Sequence, residues 1–162
     1  MKGRKGSTDE GGVRSPFFIR WPGHIPAGRR VPQIAGAIDL LPTLADLAGI
    51  SVVGGKPLDG VSLKPLLTQD EAAADWRDRM IFSHWAGKTS VRTQRYRLDG
   101  DGRLFDMQSD PGQQRDIAAE RPDVVKRLSE AVDEWKRQLL PGLEQDDRPF
   151  PVCLLYTSPS PR

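Results

Sequence analysis

With 162 residues, 37% of them hydrophobic and 28% charged, and a net charge of +2, the chain has the size and make-up of one ordinary globular domain, and its 16 Gly and 14 Pro do not reach the level that signals disorder. No stretch reaches the apolar length of a membrane span, and Lys2, Arg4 and Lys5 are followed by no apolar run, so these residues lack a secretory signal. The basicity is local: residues 1–30 hold seven Lys or Arg against Asp9 and Glu10, which suits an anionic ligand, nucleic acid being the generic candidate and a solvated basic face the commoner use.

In chain order, the apolar run PFFIRWP (16–22), bracketed by prolines, predicts a buried strand, and GHIPAGRR an exposed turn that includes His24. A short amphipathic helix is predicted from Asp39 to Gly49: Asp39 can cap its start, Pro42 suits the first turn, Leu40, Leu44, Leu47 and Ala48 share a face, and Gly49 can end it. SVVGGKPLDGVSLKPLL reads as a loop with a brief turn before Leu66 and Leu67. RMIFSHW predicts a strand. SVRTQRYRLD predicts a hairpin turning near Thr93 and Gln94, because Val91 and the Tyr96/Leu98 pair fall in different period-two phases. DGDG (99–102) is a strong turn and RLFDM a further short strand, so a small antiparallel sheet is expected. Val124, Val125, Leu128, Val132, Trp135 and Leu139 recur at helical spacing, with Pro122 in the first turn and Pro141-Gly142 as the expected stop. That apolar stripe needs a sheet to cover.

The single cysteine, Cys153, opens the last ten residues, CLLYTSPSPR. Back-translated, they read as a transposase-type sequencing-library adapter, and a Val152 codon ending in C would supply its first base. Residues 153–162 are therefore read as adapter-derived and non-native, a natural Ser/Pro tail being the alternative. Cys153 supports no redox, metal or nucleophile argument.

Five phrases, KGSTDEGGVRSPFFIRWPGHIPAG, IDLLPTLADLAGI, PLDGVSLKPLL, SVRTQRYRLD and LFDMQSDPGQQRDIA, stand in the order and spacing of the C-terminal part of the formylglycine-dependent sulfatases. The chain resembles that family over nearly all of residues 3–140. The resemblance implies an alkaline-phosphatase-like α/β fold with residues 1–70 ending the α/β domain, residues 76–142 forming a small antiparallel sheet with a packed C-terminal helix, and residues 143–162 a tail. It further implies that Lys5, matching the lysine of the family's GKGSTxEGG phrase, contacts the substrate sulfate. An ammonium is a compact point charge suited to an oxygen that gains negative charge as the ester breaks. Alone, a lysine in a Gly-rich loop is more often a solvated turn.

By the same resemblance, His84 and Trp85 lie where relatives recognise substrate, although a satisfied histidine and a packed indole are the ordinary readings. Arg92 could meet an anionic group or pair with a carboxylate within the sheet. Asp9 stands where relatives often have Tyr. Asp106, Asp110 and Pro111 match LYDLxxDP, a structural turn in which Gln113 and Asp116 replace Glu and Asn. Asp146 and Asp147 read as solvent-facing rather than as metal ligands.

The family's nucleophile phrase, C-x-P-x-R or S-x-P-x-R, does not occur, and the chain contains no Asn. Calcium and formylglycine are thus expected in the intact parent, with Met1 an internal methionine of a longer protein, and the residues present support neither group. The expected parent hydrolyses a small-molecule or carbohydrate sulfate ester, is periplasmic or secreted, and binds no nucleic acid. The 162 residues alone are expected to be inactive and poorly soluble or loosely structured. A phosphoesterase or phosphonate hydrolase of the same superfamily, and a non-catalytic anion- or nucleic-acid-binding module using residues 1–30, are the alternatives.

Overall fold

The computed structural model describes residues 1–51, 54, 57–69 and 76–144; Asp146, Asp147 and the tail that holds Cys153 lie outside them. The chain divides into two units, Met1–Val132 and Asp133–Arg162.

The first unit is organised around a four-stranded antiparallel sheet in the order β1 (Ile81–Trp85), β2 (Lys88–Arg92), β3 (Tyr96–Leu98) and β4 (Leu104–Asp106). Trp85 pairs with Lys88, which leaves Ala86 and Gly87 as a two-residue hairpin loop. Both take positive φ, 48° and 77°, the requirement of the turn whose twist matches the flanking strands. The β2–β3 connection turns at Thr93 and Gln94 as expected, with Thr93 N–H donating to Tyr96 O at 2.8 Å. At the DGDG turn the Asp99 carboxylate accepts from the N–H groups of Asp101 and Arg103, both at 2.9 Å.

Side chains alternate across a strand, so the sheet has two different faces. On one, Val91, Leu98 and Leu104 form a core with Val124, Leu128 and Val132 from the first turns of α4 (Pro122–Glu144), joined by Phe82, Tyr96 and Ile117. On the other lie Ser90, Arg92, Arg97 and Phe105, and against these packs the N-terminal loop with α1 (Glu10–Val13). A separate cluster of Leu63, Leu66 and Leu67 gathers Ile19, Ile25, Val31, Leu47 and Trp76. The turn expected before Leu66 is a five-residue helix, α3 (Lys64–Thr68), with a proline in its first turn.

Three of the predicted elements differ from the structure. Residues 16–22 form no strand, and Phe18 is 90% exposed. Extended backbone becomes a strand only where a neighbour accepts its hydrogen bonds, Pro16 and Pro22 have no N–H to offer, and the four strands of the described sheet pair only with one another. Helix α2 (Leu40–Ala48) forms and ends on Gly49 at φ 66°, but its leucine stripe is largely open, Leu44 being 57% exposed.

The buried residue of α2 is Thr43, whose hydroxyl donates to Asp39 O at 2.6 Å and accepts from Leu63 N–H at 2.9 Å. Asp39 makes no side-chain cap to α2. Its fully buried carboxylate turns inward to Gly36 N–H at 2.8 Å, Val61 N–H at 2.9 Å and Arg79 Nη1 at 2.7 Å. A buried charge stays stable only when paired and hydrogen-bonded, and this one is. Gly60 is required for the approach, since a Cβ there would fall 1.9 Å from Ile38 O.

The third difference lies in the second unit, where α4 runs through Pro141 to Glu144 instead of stopping. A proline inside a helix removes one hydrogen bond and crowds the carbonyl four residues before it, and here the helix continues only to Glu144 beyond it. This part of α4 carries a Glu134–Arg137 ion pair at 2.6 Å.

Candidate functional site

The Gly-rich loop is folded on itself and then fastened to the sheet. Gly11 N–H donates to Lys2 O at 2.7 Å and Ser7 N–H to Arg4 O at 2.9 Å. The second bond closes a turn with Lys5 and Gly6 at its tip, where Gly6 supplies a φ of 83° that other residues rarely adopt. Gly11 must lack a side chain, because a Cβ would meet Gly3 O at 2.6 Å and Lys2 O at 2.7 Å.

Beneath the turn, Glu10 is buried against Arg97, with Nη2 at 2.7 Å and Nε at 3.2 Å from the same carboxylate oxygen. Arg97 Nη1 also donates to Thr8 O at 2.9 Å and Ser90 Oγ at 3.1 Å. Gln113, itself in the left-handed region at φ 56°, accepts from Glu10 N–H at 2.9 Å. Lys2 is held by Asp99 at 2.8 Å and Asp9 at 3.2 Å, with its ammonium 4.9 Å from the Phe105 ring centroid.

This bracing sorts the basic residues. Lys2 and Arg14 are paired with carboxylates and Arg29 donates to Leu66 O, so residues 1–30 do not present all their charge to a ligand. Lys5 is exposed, and among the described residues its ammonium has no hydrogen bond or ion pair. Next to it opens a cleft of about 290 Å³ lined by Gly6, Ser7, Asp9, Trp85, Lys88 and Asp99 among others. Trp85 is 62% exposed, and a Cβ on Gly6 would lie 3.6 Å from its indole nitrogen.

The strand alternation decides which sequence candidates share this face. Arg92 does, but it is occupied: its Nε lies 3.8 Å from Glu10 and its Nη1 donates to Thr93 O. Burial, against the opposing pull of Glu10, holds its pKa below the ordinary guanidinium value. His84 falls on the opposite, helix-covered face with Phe82, its Nδ1 2.8 Å from Thr89 Oγ1. From the end of β1 it is Trp85 that lines the cleft beside the Lys5 turn. His24 stacks on Trp21 with ring centroids 4.0 Å apart, in an exposed turn. The LFDMQSDP turn is structural: Asp110 accepts from Gln114 and Arg115 N–H, and Asp116 from Leu104 and Ala118 N–H.

Burial alone would raise the Asp99 carboxyl, but the Lys2 ammonium and the Arg103 and Asp101 N–H groups outweigh it and hold the pKa below the ordinary value. A depressed carboxylate stabilises the fold above its unfolded pKa of about 3.9, and that stabilisation is lost as pH falls through the lower folded value. Asp99→Ala is expected to cost roughly 1–3 kcal/mol at pH 7. In urea titrations the gap from the unsubstituted chain should narrow as pH drops below about 4.

Among the described residues no three His, Cys, Asp or Glu side chains gather as a metal site. Residues 5–138 match the family described as N-sulphoglucosamine sulphohydrolase, C-terminal. The chain belongs to this sulfatase family. It is similar to arylsulfatase D of Homo sapiens, 29% identical over 186 residues that cover 89% of this chain and 31% of the relative. Among solved structures it is similar to Ps i-CgsB in complex with k-i-k-neocarrahexaose (28% identity, TM-score 0.71, 83% of this chain and 31% of that one). It is also similar to BT4656 in complex with its substrate D-glucosamine-2-N,6-O-disulfate (27%, 0.51, 74% and 27%). The alkaline-phosphatase-like α/β architecture expected from the sequence therefore holds. This sulfatase chain spans about a third of the length of these relatives.

Proposed function

We propose that the whole protein hydrolyses the sulfate ester of a carbohydrate, and that this chain supplies Lys5 as the cation that holds the sulfate. The observation that carries the reading is the placement of Lys5: Lys2 and Arg14 of the same stretch are neutralised by carboxylates, whereas Lys5, like its neighbour Arg4, has no side-chain partner among the described residues, and it is Lys5 that stands with Gly6 at the tip of the braced turn. A rigid, preorganised donor aimed at developing charge lowers a barrier without reorganising during the reaction. As the bond between sulfur and the leaving alcohol breaks, the sulfate oxygens facing Lys5 gain charge, and the three ammonium donors can follow it. Gly6 and Gly11 let the backbone approach closely, and the exposed Trp85 ring offers a flat apolar surface to a sugar. Support for a carbohydrate comes from the oligosaccharide and the sulfated glucosamine bound by the two solved neighbours.

Nucleophile and calcium are assigned to the upstream part of the parent, because the nucleophile phrase is absent from these 162 residues and the described carboxylates do not gather. The chain by itself is accordingly expected to leave an aryl sulfate unhydrolysed. Turnover above the uncatalysed background by the purified 162-residue protein would overturn that assignment.

A further inference from the structure

The stretch Phe17–Arg20 is backbone with nothing paired to it. Its N–H and C=O groups make no hydrogen bond among the described residues, while the carbonyl that follows, on Trp21, is taken by the N–H groups of His24 at 3.1 Å and Ile25 at 2.9 Å. The side chains are just as uneven. Ile19 packs on the Leu63, Leu66 and Leu67 cluster, whereas Phe18 beside it is almost wholly open and Phe17 is 54% exposed. Successive side chains of a strand face opposite ways, and a run that is apolar in both directions suits a strand covered on both faces. Here one face has found its cover within the chain.

To be completed, the run needs a strand edge for its hydrogen bonds and apolar side chains over the two phenylalanines. A short peptide is too small an occupant. In the same unit Leu41 and Leu44 of α2 are 55% and 57% exposed and Ile50 just beyond is 66% exposed, more open apolar surface than one added strand covers. The size of the relatives supplies the alternative: this chain spans about a third of their length, so about two thirds of a protein of their size lies outside it. Chemistry points the same way, because a sulfate held by Lys5 must also meet the nucleophile assigned to that outside part. This last argument rests on the sulfatase reading above, whereas the open backbone and the exposed side chains do not.

We propose that residues 17–20 are a docking edge for the rest of the whole protein, which adds a strand to them and covers Phe17 and Phe18 with its own apolar side chains. The edge lies close to the site along the chain. Only Arg14, Ser15 and Pro16 separate it from α1, whose Glu10 braces the Lys5 turn through Arg97. Docking therefore holds that turn from its outer end, as Arg97 holds it from the sheet.

The test is hydrogen–deuterium exchange of the full-length gene product, read on fragments that cover residues 17–20 and, as the reference for a folded chain, β2. A strand on one side takes alternate N–H groups and strands on both sides take all of them, so at least about half of these amides should exchange about a thousandfold or more slowly than open backbone. The protection should be unchanged by tenfold dilution. Phe18→Ala in the same full-length protein should speed exchange at residues 17–20 at least about tenfold and leave β2 as it was. Open-chain exchange at residues 17–20 beside a protected β2 would overturn the proposal. Protection lost on dilution would overturn it too, since a second copy would then be the occupant, and so would protection indifferent to Phe18→Ala. Exchange requires no turnover, so this outcome is independent of whether Lys5 holds a sulfate.

Discussion

Lys5→Ala in the full-length protein is expected to lower kcat/KM for a sulfate ester by about 100- to 1,000-fold, the scale of removing one preorganised donor from a developing charge. The turn that carries Lys5 is closed by backbone hydrogen bonds and braced by the Glu10–Arg97 and Lys2–Asp99 pairs. None of these uses the Lys5 ammonium, so the substitution should leave the melting temperature essentially unchanged. Lys2→Ala should behave in the opposite way: it removes the Lys2 ammonium from Asp9 and leaves Asp99 with Arg103 alone, and so acts first on stability. Steady-state kinetics and thermal unfolding on the two variants separate the roles. Lys5→Arg should restore only part of the rate, because a planar fork does not replace a point charge at the same position.

Arg97→Ala is expected to destabilise the chain by about 3–5 kcal/mol, the range for breaking a buried ion pair from one side. The guanidinium meets Glu10, the Thr8 carbonyl and the Ser90 hydroxyl at 2.7–3.2 Å from a site that is 3% exposed. Removal therefore leaves the buried Glu10 carboxylate with only the longer contacts to Arg14 and Arg92, at 3.6 and 3.8 Å, and the Thr8 carbonyl with only the Ser90 hydroxyl among the described residues, and the lost bonds carry a desolvation cost. Because Glu10 and Thr8 belong to the loop that displays Lys5, the same substitution should also loosen the turn and lower sulfate-ester hydrolysis by the full-length protein. Urea unfolding reads the first effect. A double-mutant cycle with Glu10→Gln should show strong coupling, the double variant losing well below the sum of the two single losses.

The small sheet was legible because strands write themselves locally. The phase change between Val91 and Tyr96 marks a hairpin, DGDG marks a turn, and the Val124-to-Val132 spacing marks the helical face that covers the sheet. Phe17, Phe18, Leu40 and Leu44 show the limit of that logic. An apolar run or stripe records a need for cover, but not whether a neighbour supplies it, and within the described residues these side chains remain exposed.

The braces of the candidate site were illegible for a different reason. Lys2 meets Asp99, and Glu10 meets Arg97 and Gln113, across roughly ninety to a hundred residues, and no periodicity links positions so far apart. Lys5 itself could be found only because the surrounding phrase carried it. The placement of Trp85 beside the cleft, with His84 on the other face, follows from strand register, and an uncertain register exchanges the two faces at every position.

The most direct test is to measure kcat/KM for an aryl sulfate and the matching aryl phosphate side by side, using the full-length gene product and its Lys5→Ala variant. Faster hydrolysis of the sulfate, with a drop of about 100-fold or more on removal of Lys5, is the expected result. Hydrolysis of the phosphate with the sulfate left intact, or sulfate hydrolysis indifferent to Lys5, would contradict it.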